Sequence, residues 1–308
     1  MSVQVICHSG QSQFTRSCGD LAGLGNWHKR FLLYHSGAAK TFRFMTTLTA
    51  PATPSAILSF DFDGTLHHPA QVPPVPTAFF VKIRELRDTH AIIWGINTGR
   101  SMAQMVDGFR ESSFPFLPDW VIGREREVYF SNSFGRWVPD ARWNVRCEKE
   151  IHGLFKRSKK LLARIRRDVE EHTGAQWMEM DGEPAGIISR TVEEMEWIVE
   201  HITPIIQIEP HFSWQRNSIY LRFGHRDFQK GSSLCHVADH YQLPIEQRFA
   251  IGDSHNDLEM LDPSCAGMTA CPSNAVPDVK QKIREQAGYL AAHPCGDGAV
   301  EALIHYFG

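Results

Sequence analysis

The stretch that decides the fold is ILSFDFDGTLHH, residues Ile57 to His68, in which an apolar run ends in two aspartates. The run AILSF (56–60) predicts a buried strand, and Asp61 and Asp63 follow it. Residues i and i+2 of an extended chain point to the same side, so we expect the two carboxylates to lie close together. At about 4 Å and an effective dielectric constant near 20, they repel by roughly 4 kcal/mol. A bound cation or a shared proton is the usual compensation.

The bulk composition narrows the class of protein. A chain of 308 residues exceeds what one compact core normally holds, which predicts two domains. With 42% hydrophobic residues, 22% charged residues and a net charge of −3, it is typical of soluble globular proteins and predicts no nucleic-acid or membrane partner. The seven cysteines are odd in number, scattered and without a C-x-x-C pair, which favours a cytoplasmic protein over a disulfide framework or a zinc site.

Residues 1–49 differ from the rest of the chain in carrying five basic residues against one acid, Asp20. Such a leader is consistent with an organelle transit peptide, but it lacks an amphipathic period. The alternatives are a disordered tail, or a native start at Met45. We therefore treat 1–49 as an N-terminal extension.

From residue 56 onward, short apolar runs alternate with amphipathic stretches, which predicts an α/β fold with a doubly wound parallel sheet. We expect this core to comprise residues 50–146 and 225–308. In residues 147–224, a long charged helical stretch is followed by strand, helix and strand patterns, which predicts a smaller α/β insertion. In parallel sheets, ligands collect beyond the carboxyl ends of the strands.

Two helices are predicted from charge and period. Residues 147–174 read as one long charged helix, and residues 255–262 as the start of another. The first contains seven basic residues between Lys156 and Arg167, which could contact nucleic acid. A solvated helix face with balancing acids is the interpretation we favour, because no aromatic residues are interleaved.

Four segments carry the chemical signal. Asp61 and Asp63 lie in D-F-D-G-T, and Thr98 and Gly99 lie in INTGR, directly after a predicted strand. Lys230 opens a predicted helix, where an ammonium favours an anion. The fourth segment, GDSHNDLEML, brings two further carboxylates and an amide: Asp253, Asp257 and Asn256. Taken singly, these segments could also be a turn, a helix cap or an exposed lysine.

In this order, the four segments resemble the motifs of the haloacid dehalogenase superfamily over residues 56–308. The long separation of Thr98 from Lys230 resembles the Cof-type and sucrose-phosphatase-like branch, whose members carry an α/β cap inserted at that point. The resemblance implies a Rossmann-like core with a cap and a hydrolase of phosphoric monoesters.

The resemblance also implies roles for the motif residues. Asp61 would be the nucleophile and Asp63 the general acid/base. Mg²⁺ would be held by Asp61, the backbone carbonyl of Asp63 and Asp253, with Asp257 as a ligand or its support. The phosphate ligands would be Thr98, Gly99, Lys230 and Asn256.

The predicted activity is hydrolysis of a small phosphorylated metabolite, plausibly a sugar phosphate, through an aspartyl phosphate. Two alternatives stay open: a sugar phosphotransferase or phosphomutase, and a catalytically inactive binding module of the same fold. The sequence names neither the substrate nor the oligomeric state.

Overall fold

The computed structural model describes residues 46–132, 134–180 and 183–308. The predicted N-terminal extension therefore lies almost wholly outside the described residues. Among those residues, no helix is both long and apolar enough to cross a membrane.

Strands and helices alternate along most of the chain. In chain order they are β1 (Thr46–Thr47), β2 (Ala56–Phe60), α1 (Thr77–His90), β3 (Ile92–Asn97), α2 (Met102–Glu111), β4 (Phe116–Leu117), β5 (Trp120–Gly123), β6 (Glu127–Ser131), β7 (Trp137–Pro139), α3 (Ala141–Arg157), α4 (Lys159–His172), β8 (Gln176–Met180), β9 (Glu183–Ile188), α5 (Val192–Ile206), β10 (Phe212–Asn217), β11 (Tyr220–His225), α6 (Lys230–His240), β12 (Arg248–Ile251), β13 (Met268–Cys271), α7 (Pro277–Glu285), β14 (Tyr289–Leu290) and α8 (Cys295–Phe307).

The core is an eight-stranded sheet in the order β14-β13-β12-β2-β3-β5-β6-β7. Neighbours from β14 to β5 are parallel, whereas β6 and β7 are antiparallel. Helices α1, α2 and α8 pack on one face, and α6 and α7 on the other. This doubly wound α/β architecture confirms the predicted fold class.

Strand β2 lies at the centre of this sheet, buried along its whole length. Leu58 and Phe60 pack into the hydrophobic cluster under α1 and α8, and Ile57 packs into the cluster under α6. Because successive side chains of a strand point to opposite faces, one continuous apolar run supplies both clusters.

A second, antiparallel sheet has four strands in the order β10-β11-β9-β8. Together with α3, α4 and α5 it encloses its own hydrophobic cluster, and we call this assembly the cap. The cap strands lie within the predicted insertion 147–224 except for the last residue of β11. The exact domain boundaries stay a prediction.

The predicted long helix over 147–174 was wrong in one respect, because it consists of two helices. Helix α3 begins after Asp140, whose carboxylate accepts a hydrogen bond from the amide of Trp143, and α3 and α4 are separated at Ser158. Ser158 has ψ of 6°, whereas a helical residue has ψ near −42°. A non-helical backbone at one residue changes neither the charge pattern nor the helical spacing of the apolar residues, so the sequence does not reveal the break at Ser158.

Gly95 in β3 provides a test of core packing. A β-carbon at Gly95 would lie 2.1 Å from the Trp120 ring, whereas one at Gly153 in α3 would meet only Arg157, at 3.7 Å. We expect Gly95→Ala to lower the free energy of unfolding by about 1–3 kcal/mol. The matched variant Gly153→Ala should raise it by up to about 1 kcal/mol, because alanine favours helix. Equal urea-unfolding curves for the two variants would contradict this packing.

Candidate active site

Three carboxylates meet at the carboxyl edge of the core sheet. Ligand oxygens of Asp61, Asp253 and Asp257 all lie within 4.8 Å of one another. The cause is the register of two neighbouring parallel strands: Phe60 of β2 pairs with Ile251 of β12, and the Asp61 amide donates to the Ile251 carbonyl at 3.0 Å. Residues distant in sequence therefore emerge side by side.

Lys230, the first residue of α6, lies between these carboxylates. Its ammonium is 2.5 Å from Oδ1 of Asp61 and 2.5 Å from Oδ1 of Asp257, and it is completely buried. Burial disfavours the charged lysine, but the charges of Asp257 and Asp61 outweigh burial and raise the pKa of Lys230 above its usual value. The lysine is therefore the resident counter-charge of the site.

One ammonium does not balance three carboxylates. Burial raises the pKa of Asp61 well above its ordinary value against the opposing effect of Lys230, and burial together with Asp257 raises the pKa of Asp253 to about 6. With all four groups ionised, the cluster carries an excess of two negative charges. Oxygen donors with this charge fit a divalent cation of the Mg²⁺ type.

The residues after Asp63 support Asp253. The Thr65 hydroxyl donates to Oδ1 of Asp253 at 2.8 Å. Gly64 has φ of +86°, and a β-carbon there would lie 2.6 Å from Oδ2 of Asp253. The Gly-Thr pair of the first motif thus shapes the local backbone and orients a carboxylate from the fourth motif.

Asp257 does not lie on the predicted helix. Residues His255–Asp257 form one turn of 3₁₀-helix, so the expectation of a helix starting over 255–262 was wrong. Oδ2 of Asp257 accepts the amides of Asp253 and Ser254, each at 2.9 Å. These bonds close a tight turn, which brings Asp257 back to the end of β12.

Asp63 lies beside this cluster with its carboxylate in another contact. Arg100 donates to it from Nε at 2.8 Å and from Nη2 at 2.5 Å, and the guanidinium lies 4.8 Å from the centre of the Phe62 ring. The Asp63 side chain is 43% exposed. Its predicted contact with a metal was through the backbone carbonyl, and that assignment stays a prediction.

Three of the four predicted phosphate ligands line the cavity, and the fourth, Lys230, lies within the carboxylate cluster. Thr98 and Gly99 follow β3, the neighbour of β2, and line a cavity of about 430 Å³ together with Asp61, Asp63 and Asn256. Lys230 is buried below, where it contacts the carboxylates. The Asn256 amide donates to Oε1 of Glu125 at 2.7 Å, so its nearest described partner is a carboxylate.

Sequence reasoning missed the side of the cavity that the cap supplies. Arg222 of β11 forms an ion pair with Glu125, a buried residue that follows β5. Nη1 of Arg222 also lies 3.5 Å from the Gly99 carbonyl oxygen. Burial opposes ionisation, but Arg222 and Lys230 lower the pKa of Glu125 below its usual value. Glu125 could have been suspected, because it follows a core strand at its carboxyl end. Its pairing with a cap residue has no sequence signal.

Residues 119–294 match the profile of the haloacid dehalogenase-like hydrolases, which is more than half of the chain. The matched range contains Lys230, Asp253 and Asp257 and begins after Asp61.

Two curated relatives are archaeal proteins named phosphoglycolate phosphatase. The protein of Methanosarcina acetivorans is 40% identical over 74 residues, covering 24% of this chain and 30% of the relative. The protein of Methanothermobacter thermautotrophicus is 37% identical over 79 residues, covering 26% and 33%. The chain thus spans about a third of the length of these relatives.

Solved structures share the fold over much longer stretches. Sucrose-phosphatase from Synechocystis sp. PCC6803 superimposes with a TM-score of 0.64 at 15% identity, covering 82% of this chain and 98% of that one. BT1666 of Bacteroides thetaiotaomicron, from the haloalkanoate (HAD) phosphatases, superimposes with a TM-score of 0.57 at 19% identity, covering 84% and 97%. At these identities the likeness concerns the fold.

The ion pairs of Lys230 generate a stability prediction. Lys230→Met leaves the buried carboxylates without their cation, which should lower the free energy of unfolding by about 3–5 kcal/mol in metal-free buffer at pH 8. The matched control Lys160→Met removes an exposed lysine of α4 and should change it by less than about 0.5 kcal/mol. Denaturant unfolding measures both. A Lys230 variant as stable as the control would show that the lysine does not balance the site.

Proposed function

The chain belongs to the haloacid dehalogenase-like hydrolases, and from this membership we propose that it is a Mg²⁺-dependent phosphatase of a small phosphomonoester. The observation that carries the proposal is the meeting of Asp61, Asp253 and Asp257 beside Lys230, with Asp61 lining a cavity between the core and the cap. This arrangement combines a nucleophile with groups that neutralise a phosphate.

Asp61 is the proposed nucleophile. Its carboxylate attacks phosphorus and forms an aspartyl phosphate, while the bond from phosphorus to the substrate alkoxide breaks. Two like-charged groups must approach in this step, so the buried ammonium of Lys230 supports it by offsetting charge at Asp61.

The metal would be held by Asp61, Asp253 and the carbonyl of Asp63, with Asp257 as a ligand or as the support that orients the turn. When bound, Mg²⁺ supplies positive charge to the carboxylates and to a phosphoryl oxygen. The excess negative charge of the described cluster supports this assignment.

Asp63 is the proposed general acid/base. It gives a proton to the leaving alkoxide and then takes one from the water that opens the aspartyl phosphate. Asp63 and Asp61 line the same cavity, and Arg100 fixes the orientation of the Asp63 carboxylate. Thr98, Gly99 and Asn256 would contact the phosphate from the rim.

The substrate is proposed to be a small phosphorylated metabolite such as a sugar phosphate. A cavity of about 430 Å³ beneath the cap favours a compact ligand over a polymer. The proposed setting is the cytoplasm, which the free thiols of Cys235, Cys265, Cys271 and Cys295 support.

The nucleophile assignment predicts a sharp loss of activity. Asp61→Asn should reduce release of phosphate from an aryl phosphate by at least about 1,000-fold, because the amide does not attack phosphorus. Asp107→Asn removes an exposed carboxylate of α2 and should keep full activity. Circular dichroism would establish that both variants are folded. Wild-type turnover in the Asp61 variant would refute the assignment.

The metal assignment predicts two effects of a chelator. EDTA should abolish phosphate release, and excess Mg²⁺ should restore it. Mg²⁺ should also raise the melting temperature of the wild type but not of Asp253→Asn, because a ligand that binds only the folded state stabilises it. Undiminished activity in EDTA would count against a metal.

The substrate class is tested by measuring phosphate release from a panel of sugar, polyol and nucleotide phosphates and phosphoglycolate. Sugar acceptors in the same assay would detect phosphate transfer.

A further inference from the structure

A second group of metal-ligating side chains lies at the junction of cap and core. Ligand atoms of His211, His225 and Asp227 all lie within 4.8 Å of one another. His211 immediately precedes β10, His225 ends β11, and Asp227 lies in the short linker 226–229 that leads to α6. The amide of Arg226 donates to the His211 carbonyl at 2.9 Å, which holds the two segments together.

The spacing of the three side chains is close to that of a metal site. Oδ2 of Asp227 lies 3.7 Å from Nδ1 of His211 and 3.9 Å from Nδ1 of His225. Around a tetrahedral ion with bonds of about 2.0–2.1 Å, ligand atoms are roughly 3.4 Å apart. Small side-chain rotations would close the difference. His211 and Asp227 each have a side chain that is 53% exposed, whereas His225 is buried.

The Asp227 carboxylate makes no hydrogen bond to either ring, because at 3.7 and 3.9 Å it is too far from the ring nitrogens to accept one. The two imidazole rings are stacked, with centroids 5.1 Å apart and planes inclined by 20°. Two nitrogen donors and one oxygen donor thus face a common space.

His225 offers a nitrogen lone pair to a metal ion. Its Nδ1 lies 3.2 Å from the Asp227 amide and accepts that hydrogen, so this nitrogen carries a lone pair. Metal binding would exchange that contact for a bond to the ion, and the exposed linker leaves the amide accessible to water.

We propose that His211, His225 and Asp227 form a second metal site that binds a divalent transition-metal ion such as Zn²⁺, with water completing the coordination. Two imidazoles and one carboxylate suit Zn²⁺, whereas Mg²⁺ prefers oxygen ligands, so the site discriminates against the cation of the active site.

The position of this site links it to α6. Phe228, next in the linker, packs on Trp143 of α3 with ring centroids 5.3 Å apart. Gln229 caps α6 and donates to the Ser213 hydroxyl of β10 at 2.8 Å. Lys230 follows directly. An ion bound to His211, His225 and Asp227 would therefore fix the connection from the cap to the helix that carries the buried lysine.

The test is Zn²⁺ binding by the full chain in saturating Mg²⁺, measured by competition with a chromophoric chelator. His211→Ala and Asp227→Asn should each weaken one Zn²⁺ site by at least tenfold, since even outer-shell changes cost about 10–100-fold. His305→Ala, an exposed histidine of α8, should bind like the wild type. Asp253→Asn should also keep this site, which separates it from the active-site carboxylates.

Thermal unfolding gives an independent readout. Zn²⁺ should raise the melting temperature of the wild type and of Asp253→Asn, and should raise that of His211→Ala less. For each protein, the melting temperature without Zn²⁺ is the reference. Wild-type Zn²⁺ affinity in both His211→Ala and Asp227→Asn would overturn the proposal. So would a Zn²⁺ site that is lost only in Asp253→Asn. Neither result depends on phosphatase activity.

Discussion

The structure depends on a balance of buried charge at the carboxyl edge of the core sheet. Lys230 contacts Asp61 and Asp257 at 2.5 Å, and its side chain has no surface exposed to solvent. Removing a charge from water is costly, so each of these groups is tolerable only with the others in position. The strand register, the tight turn at Asp257 and the start of α6 must all be correct together. The excess of negative charge that remains is what makes the site suited to a cation and a phosphate.

Much of the core could be predicted from the sequence, because its strands are continuous apolar runs. Strand β2 lies where the pattern indicates, and Asp61 and Asp253, which each follow a core strand, lie close together at its carboxyl end. The break at Ser158 and the single turn at His255–Asp257 could not be predicted, because backbone dihedrals and local hydrogen bonds decide them. The catalytic roles of the motif residues stay predictions.

Side-chain partners across the cap and core were beyond sequence reasoning for a different reason. Arg222 belongs to the last cap strand and Glu125 to the core, and nothing in either local pattern selects the other. The same holds for Arg100, which binds the Asp63 carboxylate from the loop after β3. The Arg222 pair forms only when the cap is packed on the core, and the Arg100 pair only when β2 and β3 lie side by side. Both pairs join residues that are distant in sequence, and both line the cavity beside Asp61.

The position of β12 also has a consequence for synthesis. Its pairing with β2 joins Phe60 to Ile251, whereas all four cap strands come from residues 176–225. A chain leaving the ribosome completes the cap sheet before β12 is made, and closing a loop of about 190 residues costs entropy that local pairing does not. Until then, one side of β2 presents unpaired backbone groups. The nascent chain therefore exposes an unpaired edge of a buried apolar strand until β12 has been translated.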